Sequence, residues 1–251
     1  MSGGQGISLV MPMAGRGSRF ARLGILEPKP LIDLGGQPFF RWAVESVRRS
    51  VAVREMVFVV LDEHRRDHAI DARIHAFYPD ARIVSIPDVT SGAAETARIG
   101  VDALSGEGPV AINDCDHAFL CPDLATVPTR LTGEADMALL CFRSSNPAYS
   151  YAIVDAEGRT TGTIEKVVAS PYAIAGCYMF RSPALFRQVY DAYRQDCPYD
   201  ELFISGMFNR GAIDRTGMIR LEATRHWSFG TPDELAAMDP AQMTPFFSRS
   251  A

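Results

Sequence analysis

The sequence ISLVMPMAGRGSRFARLGILEPKPL, residues 7–31, places a short apolar run directly before a loop rich in glycine and arginine. Residues 7–11 are typical of a buried strand, because a continuous apolar run of this length fits a sheet that is covered on both faces. The loop carries little side chain at Ala14, Gly15 and Gly17, so its backbone N–H groups can converge on a phosphate. This order predicts an anion site where the first strand ends.

Two positive side chains strengthen that prediction. Arg19 offers a planar fork of donors suited to phosphate oxygens, and Lys29 is held between Pro28 and Pro30, whose fixed φ angles limit its movement. A simple turn with two glycines is the alternative, but the Gly-x-Gly-x-Arg spacing followed by Pro-Lys is more demanding. The loop lacks the third glycine of a dinucleotide fingerprint and the Gly-Lys-Ser/Thr of a P-loop, which argues against both.

Strand patterns alternate with helix patterns up to about residue 135. Strands are predicted over 7–11, 56–61, 81–86 and 109–113, and helices over 39–50, 62–78 and 93–104. This alternation predicts an α/β fold with a Rossmann-like open, mostly parallel sheet. Ligands of such sheets bind beyond the carboxyl ends of the strands, where both the glycine loop and Asp114-Cys115-Asp116 fall.

The pattern changes after residue 135 to one that favours antiparallel pairing. It predicts a strand at 136–142, a hairpin at 151–166 that turns at 155–158, a strand at 172–180, a helix that follows the Ser182 cap, and a last short helix starting in 230–235. We expect a single domain over 1–251, with a nucleotide-binding half at about 7–135 and an acceptor-binding half at about 136–238.

Composition excludes several classes of protein. The net charge of -5 argues against nucleic acid or an anionic membrane as a partner, so an anion site must be local. The five cysteines include no C-x-x-C pair, which argues against a disulfide framework and a thiolate zinc site and favours a reducing compartment, the cytoplasm. No apolar run approaches the length of a membrane span.

Several motifs occur in a fixed order along the chain. They are TSGAAETA (90–97), NDCDHAF (113–119), YAIVDAEGRTTGTIEK (151–166), AGCYMF (175–180) and FGTPDEL (229–235). Together with the glycine loop, they closely resemble the sugar-phosphate nucleotidyltransferases, also called nucleoside-diphosphate-sugar pyrophosphorylases. The resemblance covers roughly residues 7–238 and implies the fold of that family, a GT-A-like nucleotidyltransferase fold with an antiparallel acceptor-binding part.

The resemblance also implies roles for individual residues. Catalysis would depend on Arg19, Lys29 and Asp116, and Asp116 would hold Mg²⁺. The nucleotide would contact Met13, Ala14, Gly15, Arg16, Gly17, Ser18, Ser91, Gly92, Ala93 and Asp114. The acceptor would contact Ala152, Glu165, Lys166, Gly176 and Tyr178. Neighbouring strand residues point to opposite faces, so Glu165 and Lys166 can face one ligand only if the chain bends there.

Two positions depart from the family pattern. Ser228 stands where many relatives carry a second metal-binding aspartate, so the cation would be held by Asp116, the triphosphate and water, an arrangement that Mg²⁺ tolerates. Ala152 stands where relatives have a glycine near the sugar, which indicates an unusual acceptor. His117 fits a packing role as well as a functional one.

The predicted function is Mg²⁺-dependent transfer of a nucleoside monophosphoryl group from an NTP to a sugar phosphate, with release of pyrophosphate. One alternative is a cytidylyltransferase that acts on a phosphorylated alcohol or amine of the phosphocholine type. A glycosyltransferase of GT-A fold would also show an Asp-x-Asp but has no use for the glycine loop. A catalytically inactive nucleotide-binding homologue would bind nucleotide without releasing pyrophosphate. The base, the acceptor and homo-oligomerisation stay open.

Overall fold

The structure is a computed structural model that describes residues 6–209 and 217–247. Its strands are β1 (Gly6–Pro12), β2 (Asp33–Leu34), β3 (Gln37–Pro38), β4 (Ala52–Leu61), β5 (Arg82–Ile86), β6 (Val110–Asn113), β7 (His117–Leu120), β8 (Ala135–Arg143), β9 (Tyr151–Val154), β10 (Thr160–Ile164), β11 (Tyr172–Phe180), β12 (Gly217–Glu222) and β13 (Arg225–Ser228).

Helices cover the faces of the sheet and connect its strands. They are α1 (Ser18–Ala21), α2 (Phe39–Arg48), α3 (Asp62–His68), α4 (Ile70–His75), α5 (Ala93–Asp102), α6 (Val127–Gly133), α7 (Pro183–Gln195), α8 (Pro232–Ala236) and α9 (Thr244–Phe247). Short 3₁₀ segments occur at Lys29–Leu31, Pro122–Thr126, Ser205–Asn209 and Pro240–Gln242. In the described ranges, none of the helices is long and apolar enough to cross a membrane.

Nine strands of the described residues form one sheet, whose main path runs β10-β9-β11-β6-β1-β4-β5. β1 pairs in parallel with β4 and β6, and β4 pairs in parallel with β5, as the alternation predicts. β11 then lies antiparallel to β6 and β8 and joins the second half of the chain to the first. The sheet is therefore continuous across residue 135, and the carboxyl ends of β1 and β6 lie side by side.

Local cap signals correctly place the helices of the second half. The Ser182 side chain accepts a hydrogen bond from the Leu185 N–H at 3.1 Å, so it caps α7. Thr231 and Glu234 form a reciprocal capping box at α8. α8 is not the last helical element, however, because a 3₁₀ segment and α9 follow it.

The single helix predicted over 62–78 is wrong. The chain breaks at Ala69, whose φ of +48° ends α3 and starts α4. Ile70 and Ile74 are fully buried after the break, so the change of direction turns the apolar side of α4 onto the sheet. Neither glycine nor proline marks the break, so the sequence pattern predicts a helix that continues past Ala69.

Three strand pairings are absent from the sequence predictions. β2 and β3 form a small hairpin, β7 pairs with β13, and β12 runs parallel to β8 inside the otherwise antiparallel half. The β7–β13 ribbon matters most for the site, because it places His117 directly opposite Ser228.

Candidate active site

The glycine loop lines a cavity of about 400 Å³ at the carboxyl end of β1. The cavity is lined by Pro12, Met13, Gly15, Arg16, Gly17, Ser18, Arg19, Phe20, Lys29, Pro30, Cys115, Glu201 and Gly230. Lys29 opens the 3₁₀ segment that follows the loop, and Leu31 at its other end is fully buried in the core. The backbone of Lys29 is therefore anchored by core packing as well as by its flanking prolines.

Asp114 and Asp116 lie in the short loop between β6 and β7, and three other elements hold this loop. The Asn113 side chain donates to the Ala43 carbonyl of α2 at 3.2 Å. The Asp114 N–H donates to the Gly176 carbonyl at 2.9 Å, and the Phe229 N–H donates to the Asp116 carbonyl at 3.0 Å. Both carboxylates are thus placed by backbone contacts.

Lys29 and Asp116 form an ion pair between the Nζ and Oδ2 atoms, with side chains only 21% and 22% exposed. Burial alone would lower the pKa of Lys29, but the charge of Asp116 raises it above its ordinary value. Burial would likewise raise the pKa of Asp116, and the Lys29 ammonium instead holds it below its ordinary range. Both groups are therefore charged at neutral pH.

Asp114 behaves differently from its neighbour. Burial, followed by the nearby charge of Asp116, raises the pKa of Asp114 to about 7. Gly176 lies against this carboxyl with a φ of +67°, and a Cβ at that position would stand 2.6 Å from Asp114 Oδ2. The predicted acceptor residue Gly176 thus gives Asp114 the space it occupies.

A second cavity of about 660 Å³ extends from the carboxylates toward the antiparallel half. It is lined by Ser18, Arg19, Ala93, Asp114, Asp116, His117, Ala148, Tyr149, Ser150, Glu165, Lys166, Ile174, Ala175, Gly176, Tyr178, Glu201, Phe203, Ile204, Ser205, His226, Ser228, Gly230, Thr231 and Glu234. Four of these residues, Ser18, Arg19, Glu201 and Gly230, also line the cavity of the glycine loop. The two cavities are therefore adjacent and meet beside Asp116.

The chain does bend after Glu165. Lys166 has a φ of +56°, a left-handed conformation that is uncommon for a residue with a side chain. Both Glu165 and Lys166 consequently line the larger cavity. The Lys166 ammonium lies 5.7 Å from the centre of the Phe203 ring, and the Glu165 carboxylate accepts a hydrogen bond from Ser150 Oγ at 2.6 Å.

The β7–β13 ribbon contributes two uncharged histidines to the cavity. Burial lowers the pKa of His117 to about 4 and that of His226 to about 3. His117 Nε2 lies 3.1 Å from Asn113 Oδ1, which fits a donating Nε2–H because the amide nitrogen of Asn113 faces a carbonyl. Neutral rings beside Asp116 add no positive charge to the site at neutral pH.

The predicted residues do not all meet at the two cavities. Within the described chain, Ala14, Ser91, Gly92 and Ala152 line neither of them. Ala152 is fully buried in β9 and its carbonyl accepts a hydrogen bond from Ser170. Arg16 does line the smaller cavity, but its guanidinium pairs with Glu63 at 3.2 Å and Asp88 at 2.9 Å.

Sequence reasoning missed several residues of the larger cavity. Tyr149, Ser150, Glu201, Phe203, Ser205, His226 and Glu234 line it without having been predicted. The sequence places Glu234 only at the start of a helix. In the structure, its Oε1 atom also accepts a hydrogen bond from the Tyr149 hydroxyl at 2.6 Å. Only the fold brings these polar groups together, since they come from four separate segments.

The loop at residues 91–93, which is predicted to contact the nucleotide, is held in place by Leu202. The Leu202 N–H donates to the Ser91 carbonyl at 2.9 Å, and the Ala94 N–H donates to the Leu202 carbonyl at 2.8 Å. The Glu95 carboxylate accepts from the Ser91 N–H at 2.7 Å and so stabilises the loop itself. A Cβ on Gly92 would stand 2.5 Å from the Leu202 nitrogen, so this contact requires glycine.

Replacing Gly92 by alanine is therefore expected to lower the free energy of unfolding by about 2 kcal/mol or more, because the clash is with backbone and the φ of +152° is unfavourable for a side chain. Urea unfolding monitored by circular dichroism measures the change. Gly133→Ala is the matched control, since a Cβ there meets nothing within 4 Å. Equal stability of the two variants would show that the contact between Leu202 and the loop is loose.

The donor set at the junction fits Mg²⁺. Among the described residues, no group of three or more histidine, cysteine, aspartate or glutamate side chains is arranged to hold a metal ion. Asp116, and Asp114 when deprotonated, offer carboxylate oxygens at one point of the cleft. Mg²⁺ commonly uses one or two carboxylates and takes its other ligands from phosphates and water. These residues therefore suit a cation that arrives with a nucleotide.

A family model for the MobA-like NTP transferase domain matches residues 10–170, more than half of the 251-residue chain. The chain belongs to this family. The match begins in β1 and includes the glycine loop, Asp114, Asp116 and the Glu165-Lys166 bend. The predicted membership in a family of NTP transferases is thereby confirmed.

Two curated proteins illustrate the relatives of this NTP transferase. It is 26% identical over 190 residues to the bifunctional protein GlmU of Campylobacter curvus, covering 71% of this chain and 40% of that protein. It is 29% identical over 160 residues to 2-C-methyl-D-erythritol 4-phosphate cytidylyltransferase of Nocardia farcinica, covering 62% and 64%. The alignments thus span less than two thirds of either relative.

Solved structures confirm the predicted fold class. The nucleoside-diphosphate-sugar pyrophosphorylase of Vibrio cholerae superimposes with a TM-score of 0.77 at 22% identity, covering 91% of this chain and 98% of that one. The inositol-1-phosphate CTP transferase of T. maritima superimposes with a TM-score of 0.75 at 14% identity, covering 97% and 96%. At these identities the likeness establishes the α/β nucleotidyltransferase fold.

Proposed function

We propose that this protein transfers a nucleoside monophosphoryl group from an NTP to a sugar phosphate, with Mg²⁺, to form an NDP-sugar and pyrophosphate. The observation that carries the proposal is the Lys29–Asp116 pair, which lies where the glycine-loop cavity meets the larger cavity. A triphosphate over the loop and an acceptor phosphate in the larger cavity would both reach this point. Family membership supports the reaction type, and the resemblance of the ordered motifs to the sugar-phosphate nucleotidyltransferases supports the acceptor.

The chemistry requires positioning more than covalent help from the protein. An oxygen of the acceptor phosphate forms a bond to the α-phosphorus of the NTP, and the bond from the α-phosphorus to the bridging oxygen of the β-phosphate breaks. The acceptor phosphate is largely ionised at neutral pH, so no general base is needed. Neutral His117 and His226 agree with this, because neither ring is poised to exchange a proton near pH 7.

Each cationic residue then has a distinct role. Backbone N–H groups of residues 15–18, which line the smaller cavity, and the Arg19 guanidinium, which is exposed at the junction of both cavities, would bind the β- and γ-phosphates. Lys29 would stabilise the charge that develops on the α-phosphate and the departing pyrophosphate. Mg²⁺ at Asp116, when bound, would supply further charge neutralisation. Lys166 would hold the attacking phosphate.

A cytidylyltransferase that acts on a phosphorylated alcohol or amine is the second candidate. Two of the proteins reported above transfer a cytidylyl group to phosphates of alcohols, by their names. The larger cavity also favours it, because among its described lining residues five are carboxylates and only Arg19 and Lys166 are cations. Pyrophosphate release measured over four NTPs, with glucose 1-phosphate, inositol 1-phosphate and phosphocholine as acceptors, separates the candidates; no release with any pair would contradict both.

Lys166→Ala is expected to raise KM for the acceptor about 10-fold and to leave KM for the NTP within about 2-fold, because one charge-assisted hydrogen bond to a phosphate is lost. A misplaced nucleophile should also lower kcat. Initial rates with each substrate varied separately measure both constants. Arg159→Ala is the control, since this cation is exposed on the same hairpin and pairs only with Asp155 and Glu157 there. A rise confined to KM for the NTP would place Lys166 at the triphosphate.

The sequence offers a direct probe of this division of the cleft. Lys29 and Lys166 are the chain's two lysines, and one lies in each cavity. Selective ¹⁵N-lysine labelling therefore gives two backbone amide signals, one from each proposed substrate site. We expect an NTP to shift mainly the Lys29 signal and an acceptor phosphate mainly the Lys166 signal.

A further inference from the structure

Residues 201–205, here called the strap, run from the nucleotide loop to the acceptor side of the cleft. At one end, the backbone of Leu202 exchanges two hydrogen bonds with the segment 91–94. At the other end, Phe203 lies beneath the Lys166 ammonium and Ser205 contacts Glu165. Consecutive residues of one short segment thus reach both proposed substrate sites.

The Glu165 carboxylate is held by two serines from different parts of the chain. Ser150 Oγ and Ser205 Oγ both donate to Oε1. Ser205 is only 1% exposed, so its hydroxyl cannot turn toward bulk solvent. Oε1 is thus engaged twice, whereas Oε2 accepts no hydrogen bond from the residues that the structure describes, and Glu165 lines the larger cavity.

The strap is fixed in turn by β10. Thr163 Oγ1 donates to the Ser205 carbonyl at 2.6 Å, and the Thr163 N–H donates to Asn209 Oδ1 at 2.6 Å. Thr163 lies in β10 and Glu165 directly follows that strand, so the same strand end positions both the carboxylate and the serine that orients it. This closed arrangement leaves the carboxylate few alternative rotamers.

We propose that Ser205 is a positioning residue for the acceptor site, acting through Glu165. The hydroxyl fixes the carboxylate so that its free oxygen accepts a hydrogen bond from a hydroxyl or ammonium group of the acceptor. Because Leu202 ties the same segment to the nucleotide loop, the strap also sets the distance between acceptor and nucleotide. This inference rests on the proposed nucleotidyl transfer.

Ser205→Ala is expected to raise KM for the acceptor about 10-fold, since a buried hydrogen bond to a charged group is lost. KM for the NTP should stay within about 2-fold. Ser150→Ala removes the other hydroxyl that donates to the Glu165 carboxylate and should also raise KM for the acceptor. Thr161→Ala is the control, because this exposed hydroxyl lies on the same strand as Thr163 and donates to the Ile153 carbonyl, away from Glu165.

A double-mutant cycle with Glu165→Gln distinguishes positioning from simple destabilisation. If Ser205 acts through the carboxylate, Ser205→Ala should add less than about 2-fold to KM for the acceptor in the Glu165→Gln background. A full 10-fold increase in both backgrounds, or no increase in the wild-type background, would overturn the inference. Absence of pyrophosphate release by the wild-type protein would instead count against the proposed function, and the Ser205 inference would fall with it.

Discussion

Asp116→Asn is expected to lower kcat about 100-fold to 1,000-fold. Losses of this size follow the removal of one preorganised charge partner of a transition state. The amide keeps the size of the side chain but loses the negative charge that a hard cation requires. It also leaves the Lys29 ammonium without its partner in a site where both side chains are about four fifths buried. Pyrophosphate release at saturating substrates, measured across a Mg²⁺ titration, gives the effect.

Asp114→Asn is the matched variant and should be milder. Since burial and the charge of Asp116 raise the pKa of Asp114 to about 7, this side chain is partly neutral at pH 7 before any substitution. An amide then removes less charge than it does at Asp116. Equal losses in the two variants would indicate a site that needs both carboxylates, and full activity of Asp116→Asn would move the metal away from this loop.

Two of the loops predicted at the nucleotide side share one property. The glycine loop and the loop with Asp114 and Asp116 follow the buried strands β1 and β6, so an apolar run and its end are enough to locate them. Parallel pairing of those strands then brings the two loops together, by a rule that holds for open α/β sheets generally. Local pattern and general topology therefore predict where these two loops lie, whereas the predicted Ser91 and Gly92 line neither cavity.

The acceptor side was less accessible to sequence reasoning, for a physical reason. Ser150, Ser205 and His226 are far apart in the chain, and each stands in a segment whose local pattern predicts nothing but a loop or a strand. Their convergence depends on the β7–β13 ribbon and on the strap, both of which are tertiary pairings. No periodicity within a single segment reports such contacts.

The bend at Lys166 could be predicted only in part from the sequence. The sequence showed that Glu165 and Lys166 could share a ligand only if the strand turned, and the φ of +56° at Lys166 supplies that turn. The sequence could not show that a lysine, rather than a glycine, would adopt this conformation. Ala69 also has a positive φ that its residue type does not predict, and no motif there indicates a bend, so the prediction of one continuous helix was wrong.

Lys29→Ala should reduce kcat at least about 100-fold while the fold is retained. The ammonium forms an ion pair with Asp116, and the flanking prolines and buried Leu31 hold its backbone at the junction of the two cavities. Without it, Asp116 loses the interaction that keeps its pKa low, and burial should raise that pKa. A protonated Asp116 would bind a cation less well, so activity of the variant should recover in part as the pH is raised.

Arg19→Ala should also slow turnover by about 100-fold or more if the guanidinium binds the triphosphate. Arg22→Ala is the control for both variants, because Arg22 is exposed three residues further on and lines neither cavity. Rates from pyrophosphate release, together with thermal unfolding of each variant, separate lost catalysis from lost stability. Near wild-type kcat in both Lys29→Ala and Arg19→Ala would mean that the glycine loop does not bind the triphosphate, since each variant lacks one of the two cations assigned to it.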